Sequence, residues 1–303
     1  MNGKIPHIVQ YQGSKRKLAP QILQYMPQKF NRLIEPFSGV AALSIATAYE
    51  QRTDKFYIND INVPLINMFK QAVTQPQKLS EAYTNIWNEQ FSVKYADHVE
   101  HFYAMRERFN SGEENPAIFL YLLARCVKGA VRYGKDGKFN QSPDKRRHGT
   151  KPHTLAQNIY AISQLLNGKA QFSTLDYRQL LSQAQKGDLV YLDPPYQGVS
   201  KTRDNRYLAG ISFNEFANAV KLLDNKGIDY LISYDGKCGN KAYGKDLPNN
   251  LHCQKIMLNA GLSTQSLLLG KKSTTFEALY ISKTLLPKFN IPLKHLSIWE
   301  TSA

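Results

Sequence analysis

The sequence predicts an α/β fold, a largely parallel sheet with helices on both faces and a helical insertion. Three observations predict it. Short apolar runs, most followed by a polar or glycine-bearing turn and a helically spaced segment, recur at 33–35, 56–59, 171–174, 187–192 and 228–235. Such runs are strands buried on both faces, the material of parallel sheets. Between Pro64 and about Ile159 the alternation gives way to helical periodicity alone. The run at 187–192 then stops on Asp193-Pro194-Pro195-Tyr196, and a double proline makes a rigid loop at the strand end where open α/β sheets bind ligands.

In chain order, Tyr11-Gln12-Gly13-Ser14-Lys15-Arg16-Lys17 is a polar loop, and Leu18, Ile22 and Met26 follow at helical spacing with Ser14 as the cap. Lys15 falls near the amino end of that helix, where its charge opposes the dipole. It is read either as a solvated lysine or as one held there to meet a carboxylate. Leu33-Ile34-Glu35-Pro36-Phe37-Ser38-Gly39 is a strand and a small-residue turn, continued by an alanine-rich helix to about Tyr49. The next strand ends at Asp60, 21 residues after Gly39. Strand, glycine turn, helix, strand and terminal acid is the layout of a nucleotide-type cofactor site: backbone approaches the ligand at the glycine and the acid takes ribose hydroxyls. Ala41 stands where a second glycine would fall. A ligand with one adenosine and no phosphates therefore fits better than a dinucleotide, and S-adenosylmethionine is one.

Helices are expected at 65–73, through the aromatic-rich 83–109 and at 118–126, with Pro76 and Pro116 as breaks. Arg106, Glu107 and Arg108 read as a solvated face, and His98 and His101 as surface histidines without a metal. The chain then turns sharply basic. From Lys128 to Lys151, eight lysines and arginines face two aspartates, interleaved with glycines, Tyr133, Phe139, Asn140 and Gln141. That composition suits a flexible hairpin or loop entering a nucleic-acid groove. Lys135, Lys138, Lys145, Arg146 and Arg147 would hold phosphates, and Asn140, Gln141 or Arg132 would reach base edges. Beyond it come a helix at 154–166, a short helix at 175–181, an amphipathic helix marked by Phe213, Phe216, Val220 and Leu223 and closed by Gly227, and a final hairpin of 266–269 with 276–281. Residues 287–303 read as a tail or packing arm.

Composition narrows the partners. With 303 residues, 42% of them hydrophobic, the chain can bury a sizeable core. Lysine and arginine outnumber acids 39 to 24, a net charge of +15 that favours a polyanion. No apolar run approaches the roughly 18 residues of a spanning helix, and residues 1–12 lack the apolar segment of a signal peptide. Cys126, Cys238 and Cys253 are too few and scattered for a disulfide framework or a zinc site. A cytoplasmic protein with no membrane partner and no metal is the expectation.

Taken together, these segments resemble one family over residues 11–281: the Dam-like, alpha-group DNA N6-adenine methyltransferases that use S-adenosylmethionine. The loop from Tyr11 to Lys17 resembles the family's first cofactor motif, with Tyr11 in place of tryptophan. Glu35-Pro36-Phe37-Ser38-Gly39 resembles its Glu-Pro-Phe-x-Gly turn, and Asn59-Asp60-Ile61-Asn62 its second strand end. Gly137-Lys138-Phe139-Asn140 resembles part of its DNA-binding hairpin, and Asp193-Pro194-Pro195-Tyr196 is identical to its catalytic tetrapeptide. The residues after Asn140 leave the family's Asn-Val-Pro pattern, so its recognition sequence does not carry over.

The resemblance implies a Rossmann-like methyltransferase domain from 1–70 and 155–303, with a target-recognition insert at 71–154. It implies Tyr11, Lys15, Glu35, Phe37, Gly39, Asp60 and Asp193 as S-adenosylmethionine contacts, and Asp193, Pro194, Pro195 and Tyr196 as the catalytic loop. Arg132, Lys135, Lys138, Asn140, Lys145, Arg146 and Arg147 would meet double-stranded DNA. A modification enzyme of this kind can have a cognate restriction endonuclease acting on the same site, without physical binding being implied, and the sequence does not disclose whether one accompanies it. The rival readings are an amino methyltransferase for cytosine N4 or RNA, and a DNA-binding module that no longer turns over.

Overall fold

The computed structural model describes residues 5–195, 211–238, 241–242, 245–262 and 274–288. Its strands are β1 (Arg32–Glu35), β2 (Phe56–Asn59), β3 (Ala170–Ser173), β4 (Asp188–Leu192), β5 (Asp229–Cys238), β6 (Lys241–Ala242), β7 (Cys253–Leu262) and β8 (Thr274–Ser282). They form one sheet in the order β3-β2-β1-β4-β5-β8-β7, with β6 paired to the end of β5. The pairs from β3 to β5 are parallel, and β8 and β7 add antiparallel strands at one edge. The order reverses between β1 and β4, so the carboxyl ends of these two strands flank the crevice where such sheets bind ligands.

Side-chain alternation explains the two layers. Leu33, Leu189, Tyr191 and Leu231 enter one hydrophobic cluster, while their neighbours Ile34, Val190, Leu192 and Ile232 enter the other. A period of two places successive residues on opposite faces, so both faces need cover. The helices are α1 (Ala19–Leu23), α2 (Ala42–Tyr49), α3 (Val63–Thr74), α4 (Pro76–Glu89), α5 (His98–Asn110), α6 (Pro116–Arg125), α7 (Pro152–Leu166), α8 (Tyr177–Ser182) and α9 (Phe213–Lys226). The second cluster takes Leu180 of α8 and Phe216 and Val220 of α9. The first runs without a break from the sheet through α2, α3 and α7 to Phe102, Phe119 and Phe139.

Several local expectations change. Pro76 and Pro116 open helices instead of breaking them, because a first-turn position has no use for the missing N–H. The aromatic stretch at 83–109 is two helices, with Asp97 capping α5 by accepting the Val99 and Glu100 N–H groups at 2.8 Å. His101 is fully buried, with Nδ1 2.9 Å from the Tyr121 hydroxyl, so the pair with His98 is not a surface pair. The strand beside β8 is β7, while 266–269 lies outside the described residues. In β7, among the residues whose side chains are described, only Leu258 is buried, so this edge strand shows no continuous covered run. Among the described residues no helix is long and apolar enough to cross a membrane.

Candidate active site

A cleft of about 450 Å³ opens at the switch point between β1 and β4. It is lined by the loop 11–15, the turn 35–40 after β1, 60–62 after β2, 175–178 after β3 and 193–195 after β4. Sequence-distant motifs converge there because the parallel strands all end on one side of the sheet. Tyr11, Lys15, Glu35, Phe37, Gly39, Asp60, Asp193, Pro194 and Pro195 all belong to its wall. Tyr196 lies outside the described residues.

Lys15 is only 8% exposed, and its ammonium donates to Asp193 Oδ1 at 2.8 Å and to the Gly13 carbonyl at 3.3 Å. It is therefore the lysine that meets a carboxylate, not the solvated one. Glu277 Oε1, from β8, stands 3.3 Å from the same nitrogen. Burial works against the lysine's charge, but Asp193 and then Glu277 outweigh it and hold the ammonium well above lysine's usual range. Burial also raises the Asp193 carboxyl to about 7, with Glu277 adding to the rise and Lys15 opposing it.

The other carboxylates have structural partners. Asp60 Oδ2 accepts the Gly39 N–H and Oδ1 the Asn62 N–H, both at 2.9 Å, which ties the glycine turn to the end of β2. Each oxygen keeps a second lone pair for a ligand hydroxyl. Glu35 accepts the Ser44 N–H at 2.9 Å and the Ser44 hydroxyl. It thereby caps α2, whose own cap residue, Ala41, offers no side-chain acceptor. Burial lifts the Glu35 carboxyl to about 7, against the Ser44 hydrogen bonds.

Two backbone features shape the floor. Gly39 has φ +53, and a Cβ there would lie 3.3 Å from the Tyr11 ring, so glycine serves both the turn and the close approach of that ring. Ala41, at the position where a second glycine would fall, itself adopts φ 51. The left-handed turn is kept at a cost of about 1–2 kcal/mol for a residue with a Cβ.

A family model for D12 class N6 adenine-specific DNA methyltransferases matches residues 11–263. The chain belongs to this family. The methyltransferase is 31% identical over 73% of its length to the type II methyltransferase M1.LlaDCHI of Lactococcus lactis subsp. cremoris, covering 78% of that protein. It is 28% identical over 64% of its length to the DNA adenine methylase of Serratia marcescens, covering 68% of it. A third relation, at 28% identity, is to the DNA N-6-adenine-methyltransferase of Escherichia phage P1, over 76% of this chain and 30% of the phage protein. Family and relatives together make this a site-specific DNA adenine methyltransferase.

In the methyltransferase the basic stretch forms a hairpin rooted at the cleft. Gly134 N–H donates to the Lys138 carbonyl at 2.7 Å and Asn140 N–H to the Arg132 carbonyl at 3.0 Å, and Tyr133 bridges Phe139. Buried Phe139 exchanges two hydrogen bonds with the Asn110 side chain, at 2.8 and 3.0 Å. The Tyr133 hydroxyl donates to Asn62 at 3.3 Å, joining the hairpin to the cleft wall. Arg106, expected on a solvated face, donates to the Gln141 carbonyl at 3.4 Å. Arg132, Lys135, Lys138 and Asn140 are exposed on the hairpin, and Lys145, Arg146 and Arg147 on the loop after it.

Motif reading passed over two parts of this site. Residues 175–178 form a wall of the cleft, and their signal was position after a third strand. There the Asn59 side chain bonds both backbone groups of Leu175, at 2.8 and 3.0 Å. Glu277 had no sequence signal at all, since it follows Phe276 in an ordinary strand pattern.

Proposed function

We propose that the methyl donor is S-adenosylmethionine, held in the cleft by Tyr11, Lys15, Glu35, Phe37, Gly39, Asp60 and Asp193. The hydroxyls of Ser38 and Tyr177 support this fit: both residues belong to the cleft wall, and both hydroxyls are buried without a hydrogen-bond partner among the described residues. A ligand rich in polar edges, such as an adenosine, would complete them. When bound, the donor supplies an electrophilic methyl group on a sulfonium.

Asp193 and the Pro194 carbonyl are the acceptors for the adenine amine. Accepting its hydrogens draws the N6 lone pair out of conjugation with the ring and aims it at the methyl, which is positioning and electrostatic preorganisation without a covalent intermediate. Lys15 occupies Asp193 Oδ1, leaving Oδ2 for the amine. That ion pair at the end of β4 is the observation that carries the reading. The amine is out of reach inside a duplex, so the base is flipped, at roughly a few kcal/mol. Tyr196 is assigned to stacking on it.

The insert 71–154 grips double-stranded DNA through Arg132, Lys135, Lys138, Asn140, Lys145, Arg146 and Arg147, within an intracellular modification role. A restriction endonuclease for the same site fits the type II name of the Lactococcus relative. The test is Asp193→Ala: methyl transfer to N6, read by mass spectrometry of digested DNA, should fall at least about 10³-fold while salt-sensitive DNA binding persists. Retained turnover would overturn the assignment.

A further inference from the structure

Glu277 has no role in the chemistry described so far, yet its place is costly. Its Oε1 is buried and, among the described residues, receives no hydrogen bond, although it stands 3.3 Å from the Lys15 ammonium as an ion-pair partner. An unsatisfied buried carboxylate oxygen calls for a reason. Strand pairing supplies none, because β8 would pair equally well with an apolar residue at that register opposite Leu258.

The sheet is also distorted at this point. The β5–β8 register shifts between Tyr234 and Lys237. At the bulge lies Gly236, where a Cβ would fall 2.0 Å from the Phe276 carbonyl oxygen and 2.8 Å from Glu277 Cα. Only glycine permits that approach, and bulges beside active sites re-aim side chains. The side chain so placed comes from two strands beyond β4 in the sheet and stands beside the ammonium that holds Asp193.

We infer that Glu277 is a positioning residue for methyl transfer: its Oε1 joins Asp193 Oδ1 and the Gly13 carbonyl in placing oxygens 2.8 to 3.3 Å from the Lys15 ammonium. Asp193 and the Gly13 carbonyl accept hydrogen bonds from it, and Glu277 acts on it as a second negative charge at ion-pair distance. Held this way, Lys15 anchors one oxygen of Asp193 without fully neutralising the carboxylate, because it shares its charge with a second acid. Glu277 lies beyond the matched residues 11–263, and its role acts through Lys15 and not on the DNA. The inference rests on Asp193 being the acceptor for the adenine amine.

Among the described residues, the groups facing Asp193 are Lys15, Glu277, Tyr191, Asp60 and Glu35. Since the Glu277 charge contributes to raising the Asp193 carboxyl, its removal should move the acidic limb of the kcat profile to lower pH. The experiment is steady-state methylation of a DNA carrying the recognised site by the full-length enzyme and its Glu277→Gln variant, from pH 5.5 to 9. Expected are a kcat lowered roughly 10- to 100-fold, KM for DNA and the melting temperature unchanged, and an acidic limb shifted downward. A variant with parental kcat overturns the inference, as does a limb that stays in place or a loss confined to KM or melting temperature. If Glu277→Gln does not accumulate as folded protein, Glu277→Ala is read by the same criteria. Asp193→Ala run alongside separates the two failures: an inactive Asp193→Ala with a parental Glu277→Gln sinks only the positioning role, and an active Asp193→Ala sinks both.

Discussion

The cleft and the basic hairpin are built in opposite ways. In the cleft the ionisable groups are drawn in from solvent and fixed by partners, Lys15 by Asp193 and Glu277, Asp60 by the Gly39 turn and Glu35 by Ser44. In the hairpin the charged groups face solvent, and neutral or backbone-directed contacts beneath them fix the chain: Phe139 with Asn110, and Arg125 with two carbonyls. Chemistry needs a fixed field, and grip on a polyanion needs mobile cations on a fixed backbone. Damage to the first region should therefore stop turnover at constant binding. Damage to the second should change binding in small, additive steps.

The largest effect expected from breaking this contrast is at Arg125, a fully buried guanidinium with no carboxylate among its hydrogen-bond partners in the described residues. It donates to the Tyr121 hydroxyl at 3.3 Å and to the Asp144 and His98 carbonyls at 3.2 and 3.0 Å. Arg125→Met removes three hydrogen bonds made by a buried charged group and should cost about 2–4 kcal/mol in urea denaturation. A cost below about 0.5 kcal/mol would mean that the loop carrying Lys145–Arg147 is held by something else.

Glu35 offers an intermediate effect with a definite sign. Its carboxyl rises from 4.5 to about 7 on folding, so the folded chain binds a proton that the unfolded chain has already lost. That stabilisation is complete below the unfolded value and is lost as pH rises through about 7. The parent should lose stability relative to Glu35→Gln between pH 5 and 8, on the order of 1–3 kcal/mol. Parallel denaturation profiles for the two proteins would show that the carboxyl ionises normally.

The smallest effect belongs to the exposed arginines. Arg146→Ala and Arg147→Ala should each reduce the slope of log binding constant against log salt by about one. Unchanged slopes would remove this loop from the phosphate contacts.

Much of the α/β frame was legible because a strand buried on both faces must be a continuous apolar run. Runs at β1, β2, β4 and β5 satisfied that condition. The edge strand β7 carries no such signal, because among its described side chains a single covered position leaves no pattern along the sequence. His101 was misread for a related reason: a polar side chain enters a core when a partner such as Tyr121 satisfies it, and that partner is 20 residues away.

The sequence by itself determined which chemistry the chain carries. The Asp-Pro-Pro-Tyr loop, the Gly39-to-Asp60 spacing and the basic run from Arg132 to Lys151 are local patterns, set by bonding and charge along the chain. Only the tertiary structure decided that Lys15 leaves solvent to meet Asp193, that Ala41 takes a glycine's backbone, and that Glu277 stands against Lys15. Each of these depends on which strand ends lie side by side and on where a bulge turns a strand. Those are properties of packing between residues up to 262 positions apart (277 minus 15), and no window along the chain contains them.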